Sequence, residues 1–417
     1  MPVIYARLAA LLAILSPVVA LATPAGSPAA LYLFLILALV ALAHHGLHRF
    51  PPIANDDFLP LAVALCLPLV SVLVTNIALG AWSNSELEKN LRLALALPAF
   101  WLLLRTPTAW LRQVQWALIF AAVFGSILLI VVVFTADVGR MAVSEYGAQY
   151  NAVTFANLTL MFGLSCLFLL GWKLTRWHRL EAGLKVLAAA ASFVATVVSE
   201  TRSSWMIVPV FALIVLFSGK RWSSRTRLFC VLGALALLAV AGYAAWEFNP
   251  RSSAIVTEVQ AFLHGGNKDT SIGNRLQLWQ ASLMMFQEHP WLGIGARNFR
   301  DALHALMERG VVTPLLVQEY GEPHNDFVAA LADYGLLGFA GILALYFLPA
   351  VLFFRKLGAS QREIQVAAQL GLLLCLGYAV FSLTEMMFRN MRSVPIYSLT
   401  LITLLALTRS PRAQAAS

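Results

Sequence analysis

Residues 321–354 read GEPHNDFVAALADYGLLGFAGILALYFLPAVLFF. From 336 onward the run is apolar and uncharged, close to the ~20 residues a helix needs to cross the hydrocarbon core of a bilayer. Just ahead of it come a proline and three polar side chains, His324, Asn325 and Asp326. The stretch reads as a membrane helix with a polar mouth, and both halves of that reading extend outward through the chain.

The composition agrees with the first half. The chain is 60 % hydrophobic and only 12 % charged, where soluble domains carry roughly 25 % charged residues. About twelve apolar runs approach spanning length: 8–22, 29–43, 59–79, 91–104, 113–135, 152–171, 184–199, 205–218, 228–246, 336–354, 365–386 and 395–408. None alternates with the period of two that a lipid-facing barrel strand needs. The expected fold class is an all-α polytopic membrane protein of about twelve transmembrane helices. The first run, with its Ala20–Leu21–Ala22 ending, has some features of a signal peptide. A retained first helix is expected, because a multi-span protein inserts without cleavage.

Lys and Arg set the orientation. With a cytoplasmic N-terminus, 17 of the 29 basic residues fall on the inner side, six in short outer loops and six in the long segment 247–323, which the positive-inside rule does not count. Both termini are expected inside and the long loop outside, dividing the chain into spans 1–246, an outer helical loop 247–335, and spans with an inner tail 336–417. The net charge of +9 is then topology rather than a nucleic-acid footprint. The inner loops are too short for a Rossmann unit or other nucleotide-binding domain, so chemistry is expected at the outer face without a nucleotide. Cys66, Cys166, Cys230 and Cys375 lie in or beside apolar runs without CxxC spacing, which suggests small buried hydrophobes.

Within the outer loop, SIGNRLQLWQASLMMFQEHP (271–290) carries apolar residues at 276, 279, 283 and 286, a helical stripe that ends at Pro290 and Gly293–Gly295. NFRDALHALMERG (298–310) repeats the pattern with Phe299, Leu303 and Leu306 and stops at Gly310. Both are expected to lie on the outer membrane surface. A third short helix is expected behind His324 or Asn325 as cap, with Phe327, Leu331 and Tyr334 on its apolar face and Gly335 breaking it from the span.

His324 at a helix N-terminus is disfavoured as imidazolium; it suits a general base, or it simply caps the helix. Arg202 sits in a short outer turn, SETRSSW, and Arg275 in the first turn of the 271–290 helix, against the helix dipole. Arg389 and Arg392 in FRNMR lie on the same face. Such arginines bind lipid phosphate, or they clamp a diphosphate through bidentate bonds. No outer-face group has metal-ligand spacing, so neither a metal nor a cofactor is expected. One reaction fits the set: glycosyl transfer from a lipid diphosphate, whose leaving group is already a stable anion and needs no general acid.

NRLQLWQASLMMFQEHPWLGIGARNF, EPHNDFVAALADYGLLG and the upstream TRSSW together resemble the O-antigen ligase and polymerase superfamily of bacterial envelopes. The resemblance runs by motif from about 195 to 390. It implies a GT-C-like fold in the inner (cytoplasmic) membrane with its active site on the periplasmic side. It also implies an undecaprenyl-diphosphate-linked glycan as donor, Arg202 and Arg275 as diphosphate ligands and His324 as base; Asn325, Arg389 and Arg392, on the same face, are supporting candidates from their position alone. The ligase pattern has Leu four residues after its arginine; Trp279 stands there instead, which blurs the distinction from polymerases. One dominant loop between the ninth and tenth spans looks like a ligase that moves O-antigen onto lipid A–core. The alternatives are an O-antigen polymerase, a protein O-oligosaccharyltransferase and, outside enzymes, a transporter of lipid-linked glycan.

Overall fold

The computed structural model describes residues 2–45, 56–146, 149–218, scattered positions between 223 and 243, 250–264, 266–388 and 391–409. All regular structure among them is helical. Among the described residues, eight helices are long and apolar enough to cross a membrane, from Val3–Ala22 through Asp326–Phe354 to Arg362–Phe381. Arg202–Phe217 and Ser393–Leu407 are apolar but shorter. The run expected at 228–246 lies mostly outside the described residues.

One expected span is built differently. The run 91–104 is divided at Leu95 between Asn84–Ala94 and Ala96–Leu103. The first piece is capped by Ser83 and carries Glu86, Glu88, Lys89 and Arg92. Arg92, only 7 % exposed, reaches Glu88 and the Met391 carbonyl. A helix with that charged face belongs at the rim of the bundle, so the apolar continuation starts only after it.

Hydrogen bonds sort the connecting segments into two ends. At one end Arg112 pairs with Glu363 at 3.3 Å, Arg409 donates to the Leu104 carbonyl, Lys356 reaches Asp57 and Thr408, and Gln365 bonds the Ser218 carbonyl. At the other, Arg392 bonds the Pro24 carbonyl and Gln149, Asn151 bonds Glu385, and Arg140 bonds the carbonyls of Ser199 and Glu200. The first set joins segments that the charge asymmetry puts inside, the second those it puts outside.

The segment 271–320 forms its own small core at the second end. Leu278, Ala281 and Met285 meet Phe299, Leu303, Leu306, Val312 and Leu316 there. The helix Phe299–Glu308 buries the three residues its pattern picked out and ends at Gly310, whose φ is +72°. Ser271–Glu288 ends at His289–Pro290 as its stop signals imply, but its buried face is turned from the expected stripe. Leu283 is exposed, and Asn274, Gln277, Leu278, Ala281, Ser282 and Met285 point inward. The cause is polar: Gln277 donates to the Lys268 carbonyl and accepts from the Thr313 amide, pinning the helix by a face that hydropathy reads as solvent-facing.

Gly335 (φ +62°, ψ −152°) breaks Asp326–Phe354 into a short helix and a span. The segment 290–295 crosses the break closely: a Cβ on Gly335 would lie 2.4 Å from the Trp291 carbonyl carbon, and one on Gly293 2.4 Å from Asp333 and Tyr334 backbone atoms. The amides of Ile294 and Gly295 donate to the carbonyls of Ala332 and Asp333, while the Leu336 amide donates to that of Pro290. Backbone groups freed by the kink are thus met by another backbone, as burial requires.

Candidate functional site

Asn325, not His324, caps the short helix. Its side-chain oxygen accepts from the Phe327 and Val328 amides, and its Nδ2 donates to the Leu383 carbonyl. His324 stands one residue earlier at φ +51°, a left-handed conformation that a non-glycine residue adopts at a cost. The imidazole is 18 % exposed, edge-on to Tyr320, and its Nδ1 lies 3.6 Å from Glu385 Oε1. Among the described residues that nitrogen has no hydrogen bond.

Asp326 is buried and holds the segment that faces His324. Its Oδ2 accepts from Tyr346 OH at 2.8 Å and from the Met387 amide at 3.0 Å, while its own amide donates to the Ser382 carbonyl. With the Asn325–Leu383 bond, these stitch the turn 324–326 to 382–387 and leave Glu385 under the imidazole.

The Ser271–Glu288 helix is attached to the same turn from the other side. Trp279 Nε1 donates to the Pro323 carbonyl at 3.0 Å, and Asn274 Nδ2 lies 3.5 Å from Tyr320 OH. Arg275 is one helical turn before Trp279, on the side of the helix that meets 320–323. It is half-buried and, among the described residues, has no hydrogen bond, ion pair or aromatic contact. The expectation of a first-turn arginine is corrected. Thr270 caps the helix through the Gly273 amide, and Glu258 accepts from the Ile272 amide, so the helix begins four residues before Arg275. Arg275 therefore lies beyond the reach of an unfavourable helix terminus.

Arg202 opens a 3-10 turn, Arg202–Met206, and is half-buried. The turn reaches the site through buried side chains: Ser204 Oγ donates to Asn157 Oδ1 at 2.7 Å, and Asn157 Nδ2 faces Met387 Sδ at 3.7 Å. Met387 is the residue whose amide Asp326 holds. TRSSW and EPHND thus meet at 382–387, and NRLQLW joins them through the Trp279–Pro323 bond, although more than a hundred residues separate the first from the last.

Arg392 is not brought in as a free ligand; its bonds to Pro24 and Gln149 tie the last helix to two other loops. Arg389 lies outside the described residues. Sequence reasoning missed Glu385 and its holder Asn151. The available signal was an acidic residue in SLTEMMF, at the edge of an apolar run with no base within four residues on its N-terminal side. Beyond Asp326, a cavity of about 80 Å³ opens among Ser71, Glu86, Lys89, Asp333 and Tyr334, floored by apolar side chains such as Leu345 and Phe388. No group of three His, Cys, Asp or Glu side chains suited to a metal is gathered among the described residues.

This arrangement offers an acceptor of a proton, a guanidinium group on a helix bonded to the same turn, and a second on a turn linked to it through Asn157 and Met387. Comparison with known proteins adds a family. Residues 186–343 match the O-antigen ligase family model, and Arg202, Arg275, His324 and Asn325 all fall within the match. The superfamily resemblance read from the motifs is borne out over that segment. A protein of Haemophilus influenzae, described only as uncharacterized, is 21 % identical over 188 residues, 45 % of this chain and 47 % of its own length. The chain thus spans about half the length of that relative.

Proposed function

We propose that this O-antigen ligase family segment and the bundle around it transfer a glycan from undecaprenyl diphosphate onto the lipid A–core of lipopolysaccharide, at the periplasmic face of the inner membrane. Arg275 and Arg202 hold the donor diphosphate, and His324 Nε2 takes the proton of the acceptor hydroxyl as that oxygen attacks the anomeric carbon. The sugar–phosphate bond breaks with its electrons on the diphosphate oxygen, where guanidinium groups neutralise the growing charge. No general acid, metal or nucleotide enters this reading. Asn325 supports it by capping the helix that presents His324.

The observation that carries the reading is the seam itself. Trp279 donates to Pro323, so the helix bearing a half-buried arginine that is unpaired among the described residues is bonded to the turn bearing a histidine whose Nδ1 has no hydrogen bond there. A transporter has no need of that pairing. The test is reconstitution with purified lipid-linked glycan and rough lipopolysaccharide. Glycan on lipid A–core is expected; elongation of a second donor would make the protein a polymerase, and glycan on protein would make it an oligosaccharyltransferase. Movement of intact donor between leaflets without transfer would overturn the enzymatic reading.

A further inference from the structure

We propose that Glu385 is a positioning residue for His324, fixing the tautomer and the direction of the imidazole for proton uptake; this rests on the base reading above. The Glu385 side chain is 4 % exposed, and among the described residues no Lys or Arg pairs with it. Burying a carboxylate without a cation is costly unless other groups meet it. Two face it here. Asn151 Nδ2 donates to Oε1 at 3.2 Å, and His324 Nδ1 lies 3.6 Å from the same oxygen.

Asn151 is itself fixed, since its Oδ1 caps Ala152–Phe168 at 2.7 Å from the Thr154 amide. The turn bearing Glu385 is fixed from the other side by the Asp326–Met387, Asp326–Ser382 and Asn325–Leu383 bonds. Both partners of the His324–Glu385 contact are therefore held by residues that do not take part in it.

The chemistry follows from the donor inventory. A neutral imidazole has one N–H, and an ionised carboxylate only accepts. With Glu385 beside Nδ1, the hydrogen sits on Nδ1 and the lone pair on Nε2, which faces away. At 3.6 Å the contact is longer than a hydrogen bond, and catalytic contacts of this kind tighten once substrate is bound. As the acceptor oxygen forms its bond to the sugar, its proton passes to Nε2, and the imidazolium so formed faces the Glu385 charge. The proton then leaves to solvent, and the leaving lipid diphosphate keeps the electron pair of the broken bond. Asn151 places the carboxylate, the carboxylate places the imidazole, and neither touches the sugar.

A double-mutant cycle on purified, reconstituted protein separates this role from a structural one. Glu385→Gln keeps the volume and an oxygen for Asn151 but removes the charge. We expect kcat to fall at least about tenfold, in keeping with orienting carboxylates beside a catalytic histidine, with KM for the lipid-linked donor and Tm unchanged. In a His324→Ala background the same substitution adds no further loss. Full turnover in Glu385→Gln while His324→Ala is inactive would overturn the proposal and leave the base reading standing. A loss that multiplies in the double mutant would also overturn it, assigning Glu385 to the scaffold. Normal turnover in His324→Ala would sink the base reading itself, and this proposal with it. Should the Gln variant fail to fold, Glu385→Asp keeps the charge one carbon short; an intermediate kcat and the same non-additivity are expected.

Discussion

The two ends of the helical bundle treat their cations differently. At the end assigned to the cytoplasm, every described lysine or arginine that is buried or half-buried has a partner. Lys185, whose side chain is 1 % exposed, bonds Glu181 and the carbonyls of Leu169 and Trp172. Arg105, Arg112, Lys356 and Arg409 all bond neighbouring carbonyls or carboxylates. At the other end Arg92, Arg140 and Arg392 are tied in the same manner, yet among the described residues Arg275 has no partner, on a helix bonded to the turn that carries His324. A charge that holds a fold together is satisfied by that fold. One kept for a ligand has to be left open, at the expense of local stability.

The premise that the open end faces the periplasm is all-or-none. Lys268→Cys is expected to react with a membrane-impermeant thiol reagent in intact cells, and Arg176→Cys is not. The opposite pattern would reverse the two ends and remove the site from the side where its donor would be met.

The next largest effect belongs to His324. His324→Ala is expected to slow transfer about 10²–10⁴-fold, the usual worth of a positioned base, with donor binding retained because the arginines hold the diphosphate. Since Asn325 does the capping, melting should barely move; a lowered Tm with unchanged turnover would make His324 a structural residue.

Arg275→Lys and Arg202→Lys keep the charge and lose the planar fork. A lost charge-assisted bond of about 1.5–3 kcal/mol corresponds to roughly a ten- to hundredfold loss in kcat/KM. Turnover assays with both variants near normal would put these arginines with the tied cations of the other loops.

Trp279→Phe removes one indole N–H and keeps the ring. The Pro323 carbonyl then loses its donor, at about 1 kcal/mol, and a drop of a few-fold in transfer is expected as the seam loosens. No change in rate would mean that the arginine helix and the histidine turn are held in place without that bond.

The smallest effect on transfer, and the sharpest contrast, is Lys185→Met. Breaking a buried pair costs roughly 3–5 kcal/mol, so Tm should fall while specific activity of the folded protein is unchanged. Lost turnover at normal Tm would break the division between a structural and a functional end.

Much of this was readable from the sequence where the signal is local. Gly335 and Gly310 mark breaks because only their φ values permit the turns taken, and Phe299, Leu303 and Leu306 share a face because a helix has 3.6 residues per turn. The facing of Ser271–Glu288 was not readable, since Gln277 and Asn274 are buried by bonds to residues that hydropathy does not connect to them. The break at Leu95 was hidden for a related reason: the apolar run overlaps a charged helix whose Arg92 is buried with the help of a bond to the Met391 carbonyl, some three hundred residues away. His324, Arg202 and Arg275 could be proposed from residue type and neighbours. Glu385 could not, because what singles it out is a contact across sixty-one residues.

The crossing of 290–295 over Gly335 has one more consequence, for chain length. Four backbone hydrogen bonds join Pro290, Trp291, Ile294 and Gly295 to Leu336, Leu337, Ala332 and Asp333, and each needs its partner at a fixed count of residues along both segments of the crossing. Adding or removing one residue in either segment would shift all later pairings and strand amides and carbonyls where both backbones are too close for water. Side chains there can drift, provided Gly293 and Gly335 stay bare, but the interval from Pro290 to Gly295 cannot. The spacing, rather than the identity of most residues within it, is what holds the histidine turn at a set distance from its span.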